Sequence, residues 1–351
     1  MGQIQNLLFT FFFVCSFIFL LIGTKVVECG AHQHDDHDQT VKKLFVFGDS
    51  YADTGNTRIA IGQAWKEPYG ITFPGKPSGR FSDGRVLTDF LARSLGTRTP
   101  LVYKFRKFAR QNLKYGMNFA YGGTGVFDTK APYPNITTQI DLFQTLLHQN
   151  AFDLHNSIAH FSLVGNDYSF YLAKGGSAQG LQTFIPKVVN ELVVDIVRVY
   201  NLGVKKISVT SLQPLGCVPS IVHFPFQQCN DTYNQAVAFH NLLLQQAISN
   251  FNNQTASSIL LIDLYNSFFS VFRDKGSQSG NIKFENPLEP CCTGINQTYH
   301  CGSVDEMGNK MYKVCQDPNS YFFWDEVHPT QAGWKAVISN LKNNLQQLQF
   351  N

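Results

Sequence analysis

Apolar residues along this chain fall into two kinds of run. Short stretches rich in apolar or β-branched residues occur at residues 43–47, 116–120, 159–164, 206–211 and 258–264. Each has the length and composition of a strand. The first, Leu44-Phe45-Val46-Phe47, has no polar alternation, which is the pattern of a parallel-sheet strand buried on both faces. Between these runs the apolar positions return every three or four residues. Ile140, Phe143, Leu146 and Leu147 mark a helix over 138–148, and Ile185, Val188, Val189, Leu192, Ile196 and Val199 mark one over 179–201. Ala236, Phe239, Leu243, Ala247 and Phe251 mark a third over 231–252, and residues 330–348 read as a closing helix. This alternation predicts an α/β fold, a three-layer α/β/α sandwich with a central five-stranded parallel sheet. Neither linker nor repeat divides residues 43–351, so they are expected to form one domain. The segments 62–100 and 276–321 lack periodicity, and long irregular segments in enzymes are often functional. Phe73 and Phe81 are expected either to border the substrate or to pack under a long loop.

The first apolar run stops at Phe47-Gly48-Asp49-Ser50-Tyr51. Ser50 then sits at the carboxyl end of a strand, the edge where open α/β sheets bind ligands. Alone, Gly-Asp-Ser is an ordinary turn, and Ser50 an ordinary helix cap. Three later segments change its weight: Gly116-Met117-Asn118-Phe119-Ala120-Tyr121-Gly122-Gly123-Thr124-Gly125, Val164-Gly165-Asn166-Asp167, and Asp325-Glu326-Val327-His328-Pro329. Acyl transfer needs a nucleophile, a base, a group that orients the base, and donors for an oxyanion. The four segments offer one candidate for each. Taken singly, Asn166-Asp167 reads as a turn, Asp325 as a helix start and His328 as structural. No Gly-Lys-Ser/Thr follows the glycines, which disfavours a phosphate loop.

With these residues the chain resembles the plant GDSL esterase/lipase family of the SGNH hydrolase superfamily. Pro77-Ser78-Gly79-Arg80-Phe81-Ser82-Asp83-Gly84-Arg85, Leu212-Gln213-Pro214-Leu215-Gly216-Cys217-Val218-Pro219 and Pro290-Cys291-Cys292 resemble further stretches of that family. The family's naming leucine is replaced by Tyr51, and Tyr121 stands where a small residue is common. The resemblance implies an SGNH, flavodoxin-like fold and a serine ester hydrolase without metal or organic cofactor. It implies Ser50 as nucleophile, His328 as base and Asp325 as its orienting partner. The oxyanion hole it implies is the Ser50 and Gly123 N–H groups with the Asn166 amide. The substrates it implies are lipid acyl esters or acetyl and acyl esters of wall polysaccharides and metabolites. An acyltransferase on the same scaffold is the alternative, and a non-catalytic glycan- or lipid-binding protein a weaker one. No Gly-x-Ser-x-Gly elbow surrounds Ser50, which argues against an α/β-hydrolase lipase.

Composition adds the compartment. Residues 7–22 are almost wholly apolar and small residues follow near Cys29, Gly30 and Ala31, so residues 1–30 are expected to be a signal peptide, with an uncleaved anchor as the alternative. Residues 31–42 form a polar leader with His32, His34 and His37, more a solvated tail than a metal site. Cys15 and Cys29 belong to the leading segment. Cys217, Cys229, Cys291, Cys292, Cys301 and Cys315 remain, an even set that favours disulfides over zinc. Cys217 is expected to pair with Cys229, and the other four among themselves. Sequons at Asn135, Asn230, Asn253 and Asn296 fit a secreted glycoprotein, extracellular or in the cell wall, with the vacuole as the alternative. A net charge of +3 and the lack of a basic, aromatic-interleaved patch give no sign of nucleic acid. Beyond the leader no run is long enough to span a membrane.

Overall fold

Leu44, Phe45, Val46 and Phe47 are all fully buried. Phe45 and Phe47 join one core cluster and Leu44 and Val46 another, so the strand is covered on both sides and tolerates no polar position. The computed structural model describes residues 42–348 apart from 151, 153, 256–257 and 278–282. Contacts divide the chain into Met1–Gln39 and Thr40–Asn351, and the strands and helices of the described residues all belong to the second unit. The expected signal peptide, and the leader up to residue 41, lie outside the described residues.

The strands are β1 (Lys43–Gly48), β2 (Leu101–Val102), β3 (Gly116–Asn118), β4 (Ser157–Ser162), β5 (Lys206–Thr210) and β6 (Leu260–Ile262). They form one parallel sheet in the order β2-β3-β1-β4-β5-β6. All five expected strands are present, displaced by a residue or two at their ends. The sheet has six strands rather than five. The added β2 is a two-residue edge strand paired only with β3, too short to leave any period in the sequence. The helices are α1 (Leu87–Ser94), α2 (Ile136–Gln149), α3 (Asn166–Ala173), α4 (Ala178–Asn201), α5 (Pro219–Val222), α6 (Asp231–Thr255), α7 (Leu264–Asp274), α8 (Gln331–Asn340) and α9 (Lys342–Gln346). α2, α4 and α6 cover one face of the sheet and α1, α7 and α8 the other. The closing helix expected over 330–348 is broken at Leu341 into α8 and α9. α3 begins where the sequence reads as a turn, because Gly165 adopts φ +94 and starts the helix at once.

Segment 276–321 contains a hairpin of β7 (Cys292–Gly294) and β8 (Tyr312–Val314). The disulfides are Cys217–Cys229, as expected, with Cys291–Cys315 and Cys292–Cys301. The last two sit with buried Tyr69 and Trp324 in a small third core, which joins this segment to Ala64 and Tyr69 of the segment 62–100. That segment, expected to be irregular, also carries α1 at Leu87–Ser94.

β1 pairs with β3 on one side and β4 on the other. The chain leaves β1 toward one half of the sheet and later returns to build the other half. The carboxyl end of β1 is therefore a topological switch point, where such sheets open a crevice.

Candidate active site

Gly48 ends β1 at φ +149, and a Cβ there would run into the Ser162 carbonyl oxygen. The chain then turns sharply, with Ala52 N and Asp53 N donating to Asp49 O at 3.1 and 2.8 Å. Gln139 of α2 clamps Gly48 from the other side. Its Oε1 accepts from Gly48 N at 2.8 Å and its Nε2 donates to Gly48 O at 2.9 Å. Ser50 is thus held at the switch point by backbone geometry and one buried glutamine.

Ser50 Oγ lies 2.8 Å from His328 Nε2. His328 Nδ1 lies 2.8 Å from both Asp325 carboxylate oxygens. Asp325 Oδ1 also accepts from Val327 N at 2.9 Å and His328 N at 2.8 Å, so carboxylate and imidazole share one tight loop. Tyr69 Oη donates to Asp325 Oδ2 at 2.7 Å. Burial pushes the Asp325 carboxyl up. The charge and hydrogen bond of His328, with Tyr69 and the Val327 N–H, outweigh it and hold the group below the usual carboxylate range. Burial and the Asp325 charge push the Tyr69 phenol well above its ordinary value, so it stays a donor.

Several side chains brace this loop. Phe81 lies against the imidazole, ring centroids 5.1 Å apart. Tyr51 donates to Val327 O at 3.0 Å, so the residue that replaces the leucine ties the serine turn to the histidine loop. Arg80 grips Asp89 through Nε and Nη2, both at 2.8 Å. Ser82 Oγ donates to Pro329 O at 3.0 Å and Asp83 Oδ1 accepts from Gln331 N at 2.7 Å. The segment 77–85 is therefore a brace for the start of α8, directly behind His328. Of the two phenylalanines singled out, Phe81 borders the site. Phe73 instead packs under the Arg85 guanidinium, 3.7 Å from its ring centroid. Tyr121 stacks on Tyr133 beside the glycine loop, centroids 5.6 Å apart.

The donor side is built on buried carboxylates. Asn166 is the first residue of α3, and its Nδ2 donates to Thr124 O at 2.9 Å and Asp49 Oδ2 at 3.2 Å. Asp49 is fully buried and also accepts from Val164 N at 2.6 Å and Tyr51 N at 3.2 Å. Burial pushes its carboxyl up to about 8, against the pull of those two N–H groups. Asp53 accepts from Gly55 N, Asn56 N and, through Oδ2, from Gly122 N at 3.0 Å. Asp167 accepts from Val126 N at 3.0 Å and Phe127 N at 2.9 Å. Gly123 sits at φ +82 between these anchors. Its N–H and that of Ser50 have no hydrogen-bond acceptor among the described residues, whereas Gly122 N–H is already taken by Asp53. A serine–imidazole–carboxylate chain beside unused N–H groups and a primary amide is the equipment of acyl transfer. All of Ser50, Gly123, Asn166, Asp325 and His328 are brought to this one place. No local spacing in the sequence links Tyr69 to Asp325, Gln139 to Gly48, Asp49 to Asn166 or Asp53 to Gly122, so sequence reasoning misses these four supports.

The sequence profile of the GDSL-like lipase/acylhydrolase family matches residues 44–341. The chain belongs to this family. A GDSL esterase/lipase of Arabidopsis thaliana is 51% identical over 345 residues, covering 95% of this chain and 96% of the relative. Acetylajmalan esterase 2 of Rauvolfia serpentina is 30% identical over 330 residues, covering 85% of this chain and 88% of the relative. A solved member of the lipolytic G-D-S-L family from Veillonella parvula aligns with a TM-score of 0.39 at 13% identity, covering 86% of this chain and 96% of that one. This family member is a carboxylic ester hydrolase. Among its described residues no helix is long and apolar enough to cross a membrane.

Proposed function

We propose that this hydrolase is a secreted serine esterase that works through an acyl-enzyme on Ser50. His328 Nε2 takes the Ser50 proton as Oγ attacks the ester carbonyl. Asp325 holds Nδ1–H and stabilises the imidazolium. The Ser50 and Gly123 N–H groups receive the oxyanion, together with the Asn166 amide once it releases its 3.2 Å bond to Asp49 Oδ2. His328 then protonates the leaving alcohol, and water, activated by the same imidazole, clears the acyl group. The unbroken 2.8 Å contacts from Ser50 to His328 and from His328 to Asp325 carry this reading. A fluorophosphonate is the direct test. One equivalent should be incorporated into native protein and map to Ser50, and denatured protein should incorporate none. A native protein that incorporates nothing, or carries the label elsewhere, removes the proposal.

Secretion is supported by the apolar leader and by three disulfides, which persist in oxidising compartments. The sequons differ in availability. Asn230, Asn253 and Asn296 are exposed. Asn135 is half-buried, donates to Asp128 Oδ1 at 2.9 Å and caps α2 by accepting from Thr138 N at 2.9 Å. A glycan on its amide nitrogen would disturb that bond. Enzymatic deglycosylation in heavy-oxygen water, followed by peptide mass spectrometry, should therefore mark the first three asparagines and leave Asn135 unmodified.

A further inference from the structure

An apolar cavity of about 110 Å³ adjoins the site through Asn166 and Val327, with Leu215, Val218 and Val237 among its walls; Ser50 and His328 themselves do not line it. Asn166 belongs to the donor side of the site and Val327 is the neighbour of His328, so the cavity reaches the edge of the site at these two residues. A second cavity of about 480 Å³ lies beyond it, lined by Gln179, Gln182, Thr232 and Gln235 among others. Leu181, Ile185 and Ala236 line both. Leu181 and Ile185 are one turn apart on the same side of α4, and Ala236 stands on α6, so the wall between the cavities is a few side chains thick.

We propose that the inner cavity is the acyl pocket, that the Leu181–Ile185–Ala236 wall closes it, and that the wall makes the enzyme selective for short-chain acyl esters. The inference rests on Ser50 being the acylated nucleophile. The acyl group stays on Ser50 while the alcohol departs and water enters, so a blind apolar pocket suits the acyl chain, and the alcohol needs the open side. The inner volume is below the ~150 Å³ of a cavity that takes up benzene, so it accommodates a chain of only a few carbons. Thinning the wall joins the two spaces and admits longer chains. Each further buried methylene is then worth roughly fourfold in kcat/KM.

The test compares wild type, Leu181→Ala and Ala236→Val on p-nitrophenyl esters from acetyl to palmitoyl, with active centres counted by fluorophosphonate titration. A parallel series holds the acyl group at acetyl and lengthens the alcohol. Wild type should peak at short chains and fall steeply beyond about six carbons. Leu181→Ala should raise the decanoate-to-butyrate ratio of kcat/KM by about tenfold or more. Ala236→Val, which thickens the wall, should lower the hexanoate-to-acetate ratio, and it decides the matter alone if Leu181→Ala does not fold. Unchanged ratios in labelled, folded variants overturn the inference and leave the Ser50 reading standing, as does a shift confined to the alcohol series. A wild type that hydrolyses these esters but takes up no phosphonate overturns the Ser50 reading, and this inference with it.

Discussion

Ser50→Ala should lower kcat by about 10⁴- to 10⁶-fold while the protein still folds. Among the described residues the Ser50 hydroxyl is the group that meets His328 Nε2, at 2.8 Å, and in the proposed mechanism alanine leaves the imidazole with no proton to take. The residual rate would come from substrate binding and the oxyanion donors, which this substitution leaves intact. Stability should hardly change. The hydroxyl's hydrogen bond is to a histidine whose side chain is 13% exposed, so water can replace it. The position of the turn is set by Gly48, Gln139 and Asp49, none of which involves the serine side chain. Steady-state kinetics on a short p-nitrophenyl ester, with thermal unfolding of the same sample, checks both parts. A loss of less than about a hundredfold in folded protein would assign the chemistry to another nucleophile.

Asp325→Asn is expected to cost about 10⁴-fold in kcat, nearly as much, for a different reason. Asp325 Oδ1 must keep accepting from Val327 N and His328 N, which directs the new amide NH₂ to the Oδ2 position. There it meets His328 Nδ1 and the Tyr69 hydroxyl. A donor facing Nδ1 selects the tautomer with its proton on Nε2, and that nitrogen can no longer accept the Ser50 proton. Tyr69 loses its acceptor as well. Tyr69→Phe removes only one hydrogen bond to the charged carboxylate and should reduce kcat by about tenfold with little change in KM. A pair of losses of equal size would mean that Asp325 acts by holding the loop rather than by choosing the tautomer.

Much of this enzyme is readable in one dimension. An unbroken apolar run must be a strand covered on both faces, and Leu44 to Phe47 divide between two cores as that rule requires. The run ends in Gly48, so Ser50 could be placed at a sheet edge. Asp325 and His328 are three residues apart, close enough for one loop to carry both, as it does. These are local properties, and local properties leave a pattern in the sequence.

What the sequence left open depends on contacts between distant segments. Tyr69 meets Asp325 across 256 residues, Gln139 meets Gly48 across 91, and Gly122 meets Asp53 across 69. No periodicity connects such pairs. They exist only because the sheet order brings β1, β3 and β4 side by side and the paired cysteines fold the late loop onto residues 62–100. The same is true of the choice between Gly122 and Gly123. Both are glycines in one loop, and only the buried Asp53 carboxylate, by taking the first N–H, leaves the second free. The acyl cavity is the extreme case. Its wall is made by α4 and α6, whose apolar positions look in sequence like any helix core, and only their packing distance decides whether Leu181 and Ala236 fill a core or close a pocket. The α/β class, the strand that presents Ser50 and the loop that joins His328 to Asp325 are therefore written in the order of the residues. Which side chains hold that loop, which N–H groups stay free and how deep the pocket runs are settled only on folding, because each depends on a distance between chain segments that hydrophobic pattern does not encode.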